Sequence, residues 1–310
     1  MKLEPTPYLW FDGALVRWEE ARVHVLTHAL HYGTSVFEGI RVYETKTGPA
    51  VLGLGAHVRR LFDSAKILGL RIPFERNATE KAILELVARN EHRSCYVRPL
   101  AFRGYGELGV AARGCPVQLA IATFEWPSLH GESHLEDGVD VGVSSWRRMA
   151  PDTHPAMAKI GGNYVNSLLV IEEAHRHGYS EGLVLDVQGY LSEGSGENVF
   201  IARDDVVITP PLSGSILPGI TRGYVMQICS DLGIEVREER VVREMLYVAD
   251  EIFMSGTAAE ITPVRSVDRT PVGTGSRGPL THAIQDRFFA VVSGELPDTH
   301  GWLTPVAGAE

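Results

Sequence analysis

A lone lysine constrains the second half of this chain. Lys159 is the only lysine after Lys81, and every later cationic side chain apart from histidine is an arginine. It opens the stretch 157–200, MAKIGGNYVNSLLVIEEAHRHGYSEGLVLDVQGYLSEGSGENVF, in which an apolar helical run leads to a strand-like run, a turn, a glycine-rich segment and a second apolar run. Ala158, Gly161 and Gly162 surround the lysine with small residues. A lysine kept for solvation needs no such setting. Lysine differs from arginine in one decisive respect: burial can lower its pKa and free the amine as a nucleophile or base. Two readings compete, a chance lysine at a helix start and a Schiff-base lysine.

Three features favour the second. Glu193 lies in SEGSGENVF, after the strand-like run 182–186 and the turn Gln188-Gly189-Tyr190, and before the apolar run 199–201. It therefore sits where two strands meet beside open backbone; taken alone it is an ordinary turn residue. Leu217-Pro218-Gly219-Ile220-Thr221-Arg222 opens an amphipathic helix carrying Val225, Ile228, Cys229 and Leu232. Pro218 suits a first helical turn, and the N–H groups there suit a phosphate. Ser255-Gly256-Thr257-Ala258-Ala259 follows a strand over 251–254, and its small residues let backbone N–H groups approach an oxyanion. Each cradle alone resembles any helix cap. Together with the lysine, they match what pyridoxal phosphate (PLP) requires: an anchoring amine, a carboxylate for a protonated ring nitrogen, and an anion site.

At this point AKIGGNY, EGSGENVF, LPGITR, FMSGTAAEITPVR, HYGTSVFEGIR and YVRP carry a resemblance to the PLP-dependent branched-chain aminotransferases, spanning the chain from about Trp10 to Trp302. The resemblance implies an α/β (α+β) chain of two domains, PLP fold type IV, similar to D-amino-acid aminotransferase. It implies that Lys159 holds the cofactor and shuttles the proton. Glu193 pairs with the ring nitrogen and Tyr164 with the ring hydroxyl. Arg60, Asn198, Leu217, Ile220, Thr221, Gly256 and Thr257 complete the cofactor set. The substrate set is Tyr32, Phe37, Gly39, Tyr96, Arg98, Leu108, Val110, Trp126, Thr257 and Ala258, with Thr257, Ala258 and Tyr96 on the α-carboxylate.

A length of 310 residues exceeds the usual single domain. The expected division is a small α/β domain over 1–124, a linker over 125–137 rich in helix-breaking residues, and a large domain over 138–310. A net charge of −10 argues against nucleic acid or an anionic membrane as a general partner. No apolar run is long enough to span a bilayer, and MKLEPTPYLW lacks the apolar core of a signal peptide. Three cysteines without a CxxC pair suggest reduced thiols and a cytoplasmic protein.

Along the first domain, Asp12-Gly13 between YLWF and ALV predicts a hairpin. His24, His28 and His31 would share a helical face, which invites a metal, but no acidic or cysteine ligand stands at useful spacing; structural histidines are the favoured reading and no metal is expected. The run 57–68 is amphipathic at helical spacing. Its adjacent arginines face different ways, and the family pattern selects Arg60 for phosphate, leaving Arg59 to solvent. A second helix is expected over 79–90. The strand 94–102 puts Tyr96 and Arg98 on one face. An arginine in an apolar strand needs an anion, either a structural salt bridge or, as the resemblance implies, a substrate carboxylate. Gly104-Tyr105-Gly106-Glu107-Leu108-Gly109-Val110 is a glycine-punctuated loop, which in the family lends Leu108 and Val110 to a partner's pocket. Leu129 departs from the family, which carries tyrosine three residues after the tryptophan that matches Trp126.

The expected reaction is transamination of leucine, isoleucine or valine with 2-oxoglutarate, yielding 2-oxo acids and glutamate, in a homodimer at least, with a trimer of dimers as the larger assembly. The alternatives are a D-amino-acid aminotransferase or aminodeoxychorismate lyase of the same fold, a PLP-binding protein without turnover, and a metal hydrolase built on the early histidines.

Overall fold

The computed structural model describes residues 3–126 and 133–306. The chain divides into two compact units. The first contains residues up to Trp126 together with Ala158–Asn163 and everything from Ala290 onward; the second contains Pro127–Met157 and Tyr164–Phe289. A contiguous division near residue 125 misses both returns to the first unit. They depend on pairing that is remote in sequence: Leu303–Pro305 joins the edge of the first sheet beside Gly48–Leu52, and Ile160 bridges to Val36.

The first unit is built on an eight-stranded antiparallel sheet. Its order is Leu303–Pro305, Gly48–Leu52, Ile40–Thr45, Cys95–Arg103, Val117–Phe124, Tyr8–Phe11 and Ala14–Arg17, with Ser35–Phe37 paired to Cys95–Arg103 off that path. The expected hairpin closes on Asp12 and Gly13, both at positive φ (44° and 99°), the conformation that a two-residue turn needs to follow strand twist. Alternation decides the faces. Val97, Ala101, Leu119 and Ile121 meet the helices Leu54–Leu68 and Arg76–Arg89 through Val58, Leu61, Ile83 and Leu86. Tyr96 and Arg98 lie on the opposite face, as strand geometry requires. Both helices begin about three residues earlier than expected: Leu54 is already part of the buried core, whereas Arg76, Asn77 and Ala78 are exposed and carry none of the apolar stripe. Ala158 and Ile160 are buried in this same core, so the lysine segment is anchored from both sides.

The second unit carries a nine-stranded mixed sheet, in the order Leu191–Glu193, Glu181–Leu185, Val139–Arg147, Glu260–Val267, Glu251–Gly256, Asn198–Arg203, Val206–Thr209 and Glu235–Glu238, with Thr270–Pro271 paired to Glu260–Val267. Its central strands are buried on both faces and read as continuous apolar runs. Asn198–Arg203 lies antiparallel between Val206–Thr209 and Glu251–Gly256, in a register that sets Asn198 opposite Ser255. The turn after Glu193 and the turn after Gly256 thus emerge from neighbouring strand ends. The helix expected after Pro218 is Ile220–Asp231; its N-cap is Gly219, so Pro218 precedes the helix instead of forming its first turn.

Candidate active site

Within the first unit, Lys159 is fixed through its backbone. Its N–H donates to Ser64 Oγ at 3.0 Å, and its carbonyl accepts from Phe37 N–H at 3.1 Å. Its ammonium lies 5.1 Å from the Phe37 ring centroid. The small residues after it have a steric cause. A Cβ on Gly161 would stand 2.3 Å from Ser35 Oγ, and Gly162 packs on the backbone of Gly33.

Five of the expected pocket residues of this unit, Phe37, Gly39, Tyr96, Arg98 and Trp126, fall into one cluster. Tyr96 stacks on Trp126 with centroids 4.8 Å apart. The Arg98 guanidinium lies 5.0 Å from the Phe37 ring and 5.4 Å from the Tyr96 ring. Gly39 is obligatory here: a Cβ would come within 1.8 Å of the Tyr96 hydroxyl. Arg98 Nε is buried without a hydrogen-bond partner. Tyr32 is outside this cluster; its ring stacks on His28 and is 44% exposed. Leu108 and Val110 are likewise exposed. Leu129 lies outside the described residues. His28 links Thr34 Oγ1 to the Gly109 carbonyl and His31 meets the Val25 carbonyl. His24 precedes the helix His28–Tyr32 and lies tilted against Tyr105, ring centroids 4.4 Å apart. Among the described residues no group of three or more His, Cys, Asp or Glu side chains is disposed to hold a metal.

Arg60 meets a partner that the sequence reading missed. Glu38, fully buried, accepts from Arg60 Nε at 2.6 Å and Nη2 at 2.8 Å, and from His57 Nδ1 at 2.7 Å. Burial pushes the Glu38 carboxyl up, but the Arg60 guanidinium and His57 hold it well below the usual carboxylate range. Burial pushes the His57 imidazole below its ordinary value, which the neighbouring Glu38 only partly offsets. A neutral His57 then donates its Nδ1–H to an ionised Glu38. The reasoning applied to Arg98, that a charge in an apolar strand needs a partner, would have found Glu38 in VFEGI.

Within the second unit, Glu193 ends its short strand almost fully buried. Its Oε2 accepts from Leu217 N–H at 2.9 Å and Asn198 Nδ2 at 3.2 Å, and Oε1 forms an ion pair with Arg148. Arg148 is a second omission; its Nη1 also donates to Asn166 Oδ1 at 3.2 Å and Ser167 Oγ at 3.5 Å, both on the helix Tyr164–Arg176, which Tyr164 begins. Asn198 Nδ2 also donates to the Leu217 carbonyl at 3.0 Å, tying the approach to the helix Ile220–Asp231 to the carboxylate. A Cβ on Gly219 would lie 1.9 Å from Asn198 Oδ1, so only glycine lets the helix start this close. Ile220 and Thr221 occupy the first turn, where N–H groups lack intrahelical acceptors. The turn of Thr257 and Ala258 joins two paired strands, and Ser255 Oγ beside it is buried without a partner. A carboxylate held in place, a glycine-capped helix start and an unsatisfied hydroxyl at a tight turn fit a phosphorylated pyridine.

These features define a class, and sequence comparison agrees. The profile of amino-transferase class IV matches residues 35–267, and the chain belongs to that family. It is 52% identical over 309 residues to the branched-chain-amino-acid aminotransferase of Salmonella typhimurium, covering 99% of each chain. The crystal structure of the Escherichia coli branched-chain amino acid aminotransferase superposes with a TM-score of 0.96 at 52% identity, covering 97% of this chain and 99% of that one. The branched-chain amino acid aminotransferase from Thermobaculum terrenum, solved in its PLP form, gives a TM-score of 0.91 at 35% identity, covering 98% of this chain and 99% of that one.

Proposed function

We infer that this chain is a PLP-dependent branched-chain-amino-acid aminotransferase that moves the amino group of leucine, isoleucine or valine to 2-oxoglutarate. One observation carries the choice of substrates. An aromatic wall of Phe37, Tyr96 and Trp126 lies beside a single guanidinium, Arg98, whose Nε is buried and unpartnered. The wall suits a branched apolar side chain. The cation suits the distal carboxylate of glutamate, since a buried charge with an unmade hydrogen bond favours an anionic ligand.

PLP, when bound, supplies the electron sink that makes the substrate Cα–H acidic. The protein does the rest. Lys159 would supply the attachment amine and, when that amine is free, the base that moves the proton at Cα. Its backbone clamp between Ser64 and Phe37 limits the arc through which that amine swings. Glu193, whose own charge is balanced by Arg148, would hold a proton on the ring nitrogen. Tyr164 would donate to the ring oxygen. Arg60, with the N–H groups of Ile220, Thr221, Gly256 and Thr257, would take the phosphate. Thr257, Ala258 and Tyr96 take the α-carboxylate.

The working form is a homodimer at least. Val110 is 87% exposed and Leu108 58%, and the first unit has an apolar cavity of about 330 Å³ lined by Leu9, Phe11, Val23, Leu30 and Phe102 with Arg98. Apolar surface of this kind favours a second copy, to whose pocket Leu108, Val110 and the exposed Tyr32 contribute. Three free buried cysteines suit a cytoplasmic protein, and no described helix is long and apolar enough to cross a membrane.

The test is the visible spectrum of the purified protein on adding leucine and then 2-oxoglutarate. Leucine should convert the cofactor to its amine form and 2-oxoglutarate should restore it. A spectrum unmoved by leucine but moved by a D-amino acid would overturn the assignment.

A further inference from the structure

Glu38 has no part in the scheme above, yet it is one of the most enclosed charges in the first unit. It immediately follows the strand Ser35–Phe37, is 0% exposed, and holds two oxygens against Arg60 Nε (2.6 Å), Arg60 Nη2 (2.8 Å), His57 Nδ1 (2.7 Å) and, at 3.3 Å, Gly39 N–H. A buried ion pair is a poor device for stability alone, because desolvation offsets most of the attraction. What a two-point fork contributes is geometry: it fixes the plane and the direction of the guanidinium. The helix Leu54–Leu68 gives that geometry a frame of reference. His57, Arg60 and Ser64 stand three and four residues apart, on one helical face. The first two grip Glu38, and the third accepts the Lys159 N–H at 3.0 Å.

We propose that Glu38 is a positioning residue for the cofactor phosphate: it aims Arg60, and it does so from the same helix face that sets the register of Lys159. This rests on the assignment of Arg60 to the phosphate. Glu38 touches neither phosphate nor substrate. It holds the Nε–Nη2 edge of the guanidinium and so fixes the direction in which Arg60 reaches the anion. His57, held neutral by burial, steadies the second carboxylate oxygen without adding a competing charge.

The experiment measures binding by the protein stripped of cofactor, with two probes: PLP, and pyridoxal, which lacks the phosphate. Glu38→Gln should weaken PLP by about tenfold or more, as expected when a charge-assisted pair loses its anion, and leave pyridoxal within about twofold of wild type. Glu38→Gln with Arg60→Gln should bind PLP no more weakly than Arg60→Gln alone. Equal weakening of PLP and pyridoxal, or additive losses in the double variant, would show that Glu38 only supports the fold. If Arg60→Gln does not weaken PLP, the phosphate assignment fails and this inference with it. If Arg60→Gln weakens PLP and Glu38→Gln does not, the inference about Glu38 fails alone. Should the glutamine variant not fold, Glu38→Asp keeps the charge and withdraws it by one methylene. It should show the same phosphate-dependent loss, and wild-type PLP affinity in that variant would overturn the proposal.

Discussion

Arg98 shows how much one side chain can carry. It lies over Phe37 and Tyr96, where a bound leucine would leave it packed against aromatic faces and a bound glutamate would give it an anion. Removing one partner of a desolvated pair costs about 2–5 kcal/mol. Arg98→Leu should therefore lower kcat/KM for 2-oxoglutarate roughly thirtyfold or more and change the leucine half-reaction far less. Rapid-mixing spectra of each half-reaction separate the two, and equal losses would make Arg98 a structural residue. Glu193 has a different task. Glu193→Gln keeps an acceptor for Leu217 N–H but cannot hold a proton on a pyridine, so kcat should fall roughly a hundredfold while cofactor is retained. Titration of bound PLP against turnover checks both halves, and a wild-type rate would return Glu193 to the status of a turn residue.

At the scale of single elements, two glycines let backbone and side chain approach where any Cβ would intrude. Gly39 admits the Tyr96 hydroxyl, and Gly219 admits Asn198 to the start of the helix Ile220–Asp231. In Gly39→Ala, Tyr96 must leave its stack on Trp126 or the strand must shift. Overpacking of this kind costs about 1–3 kcal/mol, so the expected result is a lower Tm and a raised KM for leucine. Thermal unfolding and steady-state kinetics measure these directly; an unchanged KM would remove Gly39 and Tyr96 from the substrate wall. The helix Leu54–Leu68 was legible from its apolar period; the preference for Arg60 over Arg59, whose side chain is 75% exposed beside Asp63, came from the family resemblance. Its polar stripe was not legible, because His57 and Ser64 acquire meaning only when Glu38 and Lys159 arrive from elsewhere in the chain.

For the whole molecule, pH reports on the buried ionisable groups. His57 has its pKa lowered from 6.5 by burial, and His92 is lowered for the same reason. In a group with a depressed folded pKa, the unfolded chain takes the proton first. The stability it contributes is present above the unfolded value of 6.5 and is lost as pH falls from there toward the folded value. Glu38, lowered from 4.5 despite its burial, adds a second loss as pH falls below 4.5. Glu181 opposes this, since burial raises its carboxyl. The Tm of the cofactor-free protein should decline in two stages on acidification, and His57→Gln should flatten the first; a Tm flat from neutrality to pH 4.5 would contradict the burial of these groups. Burial also pushes Cys95 up to about 12 and Cys229 up to about 11. Neither forms appreciable thiolate at neutral pH, so a thiol-exchange reagent should label both only after unfolding, which a mass measurement would show.

The sequence by itself determined the chemistry of this protein. A solitary lysine among small residues, a carboxylate beside a glycine turn and two anion cradles are local patterns, and local patterns survive as strings because the backbone conformations they need are set by neighbouring residues. The tertiary structure alone decided which groups share a surrounding. Glu38 with His57 and Arg60, Arg148 with Glu193, and Lys159 with Ser64 are pairs separated by about 20 to 95 positions. The return of Ala158–Asn163 and of the C-terminal strand to the first unit belongs to the same class of fact. Such pairings follow from sheet register and helix docking, which depend on the whole core being assembled, and a buried charge finds its counter-charge only when that assembly excludes water from both.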